Sequence, residues 1–175
     1  NQQFFNTATP YPMGPALKEN FPEVEEQVRI LTFNAHVKVK DQVLNESITV
    51  GGERFFDVFD FSFSGDRTKA LENQGYVVLS EPIATKYFGT EDPIDKTISI
   101  QIGERYEDFI VKGVSRIPTN SSITFSLLIS DLNLSKMFSK EFLTSSWFNV
   151  NPETYVLLRE DANADALMAK FPGLF

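Results

Sequence analysis

The chain has 175 residues, 42% of them hydrophobic and 23% charged, which is enough for a full apolar core and too apolar for disorder. Its net charge of −8 repels polyphosphate backbones and anionic lipid head groups, so nucleic acid is excluded as a natural partner. The absence of cysteine excludes disulfides, thiolate metal sites and thiol nucleophiles together.

Taken in chain order, Thr9 to Met13 is expected to hold no regular element, because Pro10 and Pro12 each fix φ and remove a donor. A short helix follows over Pro15 to Glu19, opened by its proline and closed near Asn20. Val28, Ile30, Leu31 and Phe33, then Val37 and Val39, then Ile48 and Val50, read as strands, with a turn at Asp41 and Gln42 folding two of them into a hairpin. Gly51 and Gly52 end that run. Seventeen phenylalanines stand against one tryptophan, and six of the chain's aromatic and aliphatic residues cluster as Phe55, Phe56, Val58, Phe59, Phe61 and Phe63. This cluster is expected to be core; the alternative is an exposed recognition patch.

Tyr76 to Leu79 is predicted to be a buried strand, with Ser80 capping a helix over Glu81 to Phe88 that Gly89 stops. Thr97 to Ile102 and Phe109 to Val114 form a predicted hairpin across Gly103, Glu104 and Arg105, and Ile123 to Ile129 is a further strand candidate. A short amphipathic helix is expected around Leu132 to Phe138. Thr154 to Leu158 reads as a strand, and Ala164 to Phe171 as a last helix capped by Asp161 or Asn163. No stretch approaches the roughly 20 apolar residues that cross a bilayer. The chain begins at Asn1 without an initiator methionine, as expected of a segment whose anchoring and targeting parts lie outside it.

The residues that could carry chemistry do not assemble into a motif. His36 is the only histidine, so no His-His metal pair exists, and no G-x-S-x-G serine accompanies it; it is expected to be structural. Glu25 with Glu26, Glu91 with Asp92 and Glu107 with Asp108 are adjacent carboxylates, which point to opposite faces of a strand and are expected to be solvated. Asp92 and Asp95 lack the spacing of a calcium loop. Gly51 with Gly52 extends to no phosphate-binding loop, so no cofactor is expected in this domain and any ATP must bind elsewhere. The N-x-[ST] triplets at Asn45, Asn120 and Asn133 are short enough to arise from composition.

Several strings together resemble one family. Thr9, Pro10, Ala16 to Lys18, Phe21 to Glu25 and Arg29 resemble the opening of the MacB-like periplasmic core domain of FtsX- and MacB-type ABC-transporter permeases. So do Val50, Phe55, Phe56, Val58, Phe59, Gly65, Asp66, Ala70 and Leu71. The most specific run is Val77 to Glu81, Ala84, Tyr87 to Gly89, then Asp92 to Ile94 and Lys96; Val111, Gly113, Val114, Pro118, Asn120, Ser121 and Phe125 complete it. Trp147 and the elements over Thr154 to Phe171 resemble the closing part, so the likeness covers nearly the whole chain. Departures fall at Asp95, where the family usually has glycine, at Ser122 in place of a frequent histidine, and between Val114 and Pro118, which is a residue short.

The resemblance implies an α+β fold of two lobes. One is a porter-like α/β lobe from residues 1–48 and 149–175, and the other an inserted, mainly β lobe with a short helix over 49–148. It also implies a non-catalytic extracytoplasmic domain between the transmembrane helices of a bacterial inner-membrane permease. Its expected partners are those helices, a second permease subunit, an ABC ATPase and a periplasmic adaptor or substrate protein. Such a domain would relay ATP-driven motion to export or release a peptide, lipoprotein or antibiotic, or to act on a periplasmic partner, and would hold Asn1 and Phe175 close in space. The competing readings are a secreted or periplasmic binding module using the phenylalanine cluster as its contact surface, and an enzyme working through convergent carboxylates.

Overall fold

The computed structural model describes residues 7–148 and 150–171 and has the expected α+β class. Its strands are β1 (Ala8–Pro10), β2 (Val24–Val39), β3 (Gln42–Gly51), β4 (Ser62–Gly65), β5 (Tyr76–Ser80), β6 (Thr97–Ile102), β7 (Arg105–Arg116), β8 (Leu127–Ser130) and β9 (Val150–Leu158). The helices are α1 (Met13–Asn20), α2 (Phe55–Val58), α3 (Glu81–Phe88), α4 (Lys140–Thr144) and α5 (Ala164–Met168), with a 3₁₀ segment over Asp131–Lys136.

The two strand segments expected before the hairpin are one continuous strand, β2. Its register with β3 runs from Ile30↔Gly51 to Val39↔Gln42, so the turn is Lys40–Asp41, one residue earlier than expected, with Lys40 at φ 53. β3 pairs in parallel with β8, β8 antiparallel with β5, β5 in parallel with β7 and β7 antiparallel with β6. β6 returns to β2 at Val37↔Ile100, which closes the ring into a barrel.

The pleat explains why the barrel fills. Leu31, Val37, Ile48, Val50, Val77, Leu79, Ile98, Ile100, Phe109, Val111, Leu127 and Ile129 share one face of their strands, and together they form the largest apolar cluster. Residues of opposite parity, Ile30, Val78 and Leu128, face outward under a second cluster built from Phe55, Phe56, Phe61, Ala70 and Leu71. The phenylalanine cluster is therefore core, with Phe55 in ring contact with Phe56, Phe59, Phe61 and Phe125, and the exposed-patch alternative is overturned.

The chain ends build a third cluster. Leu17 and Phe21 of α1 and its exit, Val24 of β2 and Leu167 of α5 pack together, and β9 pairs with both β1 and the first half of β2. Asn1 and Phe175 lie outside the described residues. The nearest described segments are tied by β1–β9 pairing, by the Thr7–Glu153 hydrogen bond at 2.7 Å and by the Lys170–Glu23 ion pair. β2 serves both the chain-end pairing and the barrel, and β3 runs through residue 48.

Other local expectations shift for identifiable reasons. Thr9 lies in an edge strand after all; Pro10 sits at its end, and the Thr9 hydroxyl donates to the Pro152 carbonyl at 3.0 Å. Ser80 occupies the N-cap position of α3 without a side-chain cap bond; Pro82 leaves it only the Ile83 amide, which it does not bind. Asn163 does cap α5, its side chain accepting from the Ala166 amide at 3.0 Å, but the helix stops at Met168. Only Leu127–Ser130 of the Ile123–Ile129 candidate is strand, and the helix expected around Leu132 to Phe138 is the 3₁₀ segment. β7 and β9 are each longer than expected.

Candidate functional site at the mouth of the barrel

Past the interior row Leu31–Val50–Ile129, the next inward-facing row is Arg29–Gly52–Asp131. This row is ionic where the Leu31–Val50–Ile129 row directly below it is apolar. Arg29 and Asp131 stand two strands apart, about 10 Å between backbones, with Gly52 between them. A Cβ at Gly52 would lie 3.2 Å from Asp131 Oδ2, so the glycine leaves the space through which the carboxylate reaches Arg29.

The reach is incomplete. Arg29 Nη2 lies 3.8 Å from Asp131 Oδ2, an ion pair without a hydrogen bond. Arg29 Nη1 donates to the Tyr11 carbonyl at 3.1 Å, and its guanidinium carbon sits 4.5 Å from the Tyr11 ring centroid, a cation–π contact. Its Nε is buried with no partner, as is Gln27 Oε1 two residues earlier on the same face. Asp131 opens the 3₁₀ segment, which is fixed to the barrel by fully buried Asn133, whose amide donates to the carbonyls of Gln74 and Ser130 at 3.0 Å.

Burial pushes the Asp131 carboxyl above the ordinary range, with Arg29 opposing the rise and Glu53 adding to it. Burial likewise pushes the Tyr11 hydroxyl up to about 12. Two cavities meet at this row. The smaller, about 400 Å³, extends past Lys18, Glu26 and Leu71; the larger, about 720 Å³, runs between α1 and the Leu134–Trp147 stretch. Arg29, Asp131 and Leu132 line both.

The residues singled out in the sequence lie elsewhere. His36 is exposed on β2, its Nδ1 2.9 Å from Gln101 Oε1. Glu26 is held by Lys18 at 2.7 Å while its neighbour Glu25 faces solvent. Glu91 pairs with Lys40 and Lys96, and Glu107 with Lys136. Asp108 accepts from Ser99 at 2.6 Å. Asp92 accepts from the Ile94 amide, and Asp95 pairs with Lys112 at 2.6 Å. Asp95 has φ 61, so its departure from the family's glycine falls at a left-handed residue. Among the described residues no group of three His, Asp or Glu side chains could hold a metal, and no helix is long and apolar enough to cross a membrane. Reading the sequence missed Tyr11 and Asp131; the Gly51–Gly52 pair was the one visible trace of their meeting with Arg29.

A family model for the MacB-like periplasmic core domain matches residues 2–174. The chain belongs to that family. The MacB-like core domain also shares its fold with solved structures. One is a domain of a protein described as a permease from Porphyromonas gingivalis, with TM-score 0.81, 21% identity, and 99% of this chain covering 72% of that one. The periplasmic region of MacB from Actinobacillus actinomycetemcomitans follows with TM-score 0.67 and 16% identity over 90% of this chain and 68% of that one. The extracellular domain of the noncanonic ABC-type transporter YknZ from Gram-positive bacteria gives TM-score 0.62 and 13% identity over 94% and 79%. No curated protein matches the chain in sequence. Family membership makes this an extracytoplasmic domain of a MacB-like ABC-transporter permease.

Proposed function

We propose that this domain is a non-catalytic relay, which carries ATP-driven movement of the permease's transmembrane helices to an extracytoplasmic substrate or partner. The observation that carries the reading is β2. Its first half is clamped to the chain ends through β9, and its second half is a stave of the barrel, so one strand of 16 residues, about 50 Å long, runs from one to the other. A displacement applied at the chain ends enters the barrel without crossing a flexible joint. The porter-like half, residues 1–48 and 149–175, is the part joined to the membrane helices in this reading; it shares β2 and most of β3 with the barrel, which is the part that moves. Two permease subunits, an ABC ATPase and a periplasmic adaptor or substrate protein complete the assembly. The substrate is of the peptide, lipoprotein or antibiotic class.

The test uses the full-length permease assembled with its ATPase. Spin labels attached through Asp41→Cys, at the exposed turn farthest along β2 from the chain ends, report the distance between the two barrels. The expected result is a shift of the distance distribution between the ATP-bound and nucleotide-free states. An unchanged distribution under ATP turnover sinks the relay.

A further inference from the structure

We propose that the Arg29–Asp131 contact is a latch: closed, it divides one groove into the two cavities at the barrel mouth, and released, it joins them. The inference rests on the relay reading for what drives the release, and on geometry alone for the latch itself.

Three observations converge. The cavities on either side share Arg29, Asp131 and Leu132 as lining, so they adjoin at this contact. The contact is under-made for its burial, since Arg29 and Asp131 side chains are 17% and 27% exposed yet stand 3.8 Å apart, and Arg29 Nε has no acceptor. A largely desolvated pair at that distance has lost hydration without gaining a full charge-assisted hydrogen bond, so releasing it costs less than breaking a fully bonded buried pair.

The third observation is that the two side chains are braced by different neighbours, although their backbones extend one β2–β3–β8 ladder. Arg29 belongs to the part of β2 clamped by β9 and bonds the Tyr11 carbonyl just before α1. Asp131 belongs to the 3₁₀ segment that Asn133 pins to the barrel. Movement of α1 and Tyr11 therefore pulls on the Arg29 side chain through the Tyr11 carbonyl, while the backbone ladder beneath it stays paired.

The domain's lack of cysteine supplies a clean test in the full-length, ATPase-assembled permease. Leu71 is 2% exposed and lines the smaller cavity, so the thiol introduced by Leu71→Cys reports whether the groove is open. Asp131→Asn removes the anion while keeping the side chain's shape, and Arg29→Gln removes the cation. Each is expected to raise the maleimide labelling rate at that thiol, read on its own peptide by mass spectrometry, by about five- to tenfold, the effect of losing one modest contact. Ser115→Cys, buried on β7 away from the latch, is the control and is expected to stay unreactive.

Labelling that neither variant changes overturns the latch, and so does labelling that rises equally at both thiols, which is unfolding. Labelling that rises with the variants and also with ATP supports latch and relay together. Labelling that rises with the variants but ignores ATP upholds the latch and overturns the relay that would drive it.

Discussion

The barrel and the chain-end cluster do the same job, hiding apolar side chains, at very different depths. In the barrel, rows of Val, Ile, Leu and Phe from every stave face one another, and Val37, Ile48, Leu79, Ile100, Phe109 and Leu127 have no exposed surface. At the chain ends four buried side chains suffice, Leu17, Phe21, Val24 and Leu167, supplemented at the surface by the ion pairs Lys18–Glu26 and Lys170–Glu23. A closed ring has no edge along which to peel and must open as a unit, whereas a small cluster flanked by surface ion pairs opens locally at lower cost. The contrast is one of depth, a thick core on a thinner base, with β2 continuous through both.

The largest expected effect attacks the thick core. Phe109→Ala removes a ring that no part of the barrel can collapse to replace, and should cost about 3–5 kcal/mol of global stability in denaturant melts of the domain. If the melt instead splits into two transitions with only one of them moved, the barrel is not the single cooperative unit described. Leu167→Ala, at the base, should cost about 2–3 kcal/mol, with faster amide exchange confined to α1, α5 and β9. Exchange that also rises across β5 and β8 would mean that the base and the barrel open together.

The smallest effect concerns Glu26, which joins β2 to α1. Burial raises its carboxyl, but the hydrogen bonds from Lys18 and the Gln27 amide outweigh burial and hold it below its ordinary value of 4.5. A depressed carboxylate contributes stability above the unfolded value, and that contribution is lost as pH falls through the folded one. Glu26→Gln should therefore destabilise the base by about 1 kcal/mol at neutral pH, and the difference from the parent should shrink as pH falls below 4.5 and vanish only below the depressed folded value. A difference that persists in acid would assign the loss to packing instead of charge.

Much of this was legible beforehand because it is local or periodic. The 2-residue alternation in Val37 to Val39 and Thr97 to Ile102 marked barrel staves, Pro82 and Gly89 bracketed α3, and Asn163 was a correct cap candidate. The phenylalanine cluster was too apolar for water and is buried. Boundaries failed where a partner decides them. β2 does not break between Phe33 and Val37, since β3 pairs with it without interruption, and Pro10 lies in a strand because an edge needs no amide from it.

The sequence by itself determined the class of the protein: an acidic, cysteine-free α+β domain with an apolar core, and the ordered strings that place it in the MacB-like core family. Those properties reside in composition, in short periods and in local turn chemistry, so they survive in one dimension. Only the tertiary structure decided that six strands close into a barrel and that Arg29 faces Asp131 across Gly52 at its mouth. The residues of that row are separated by more than twenty positions at each step, and strand order and register, which no local pattern encodes, are what bring their side chains onto one face.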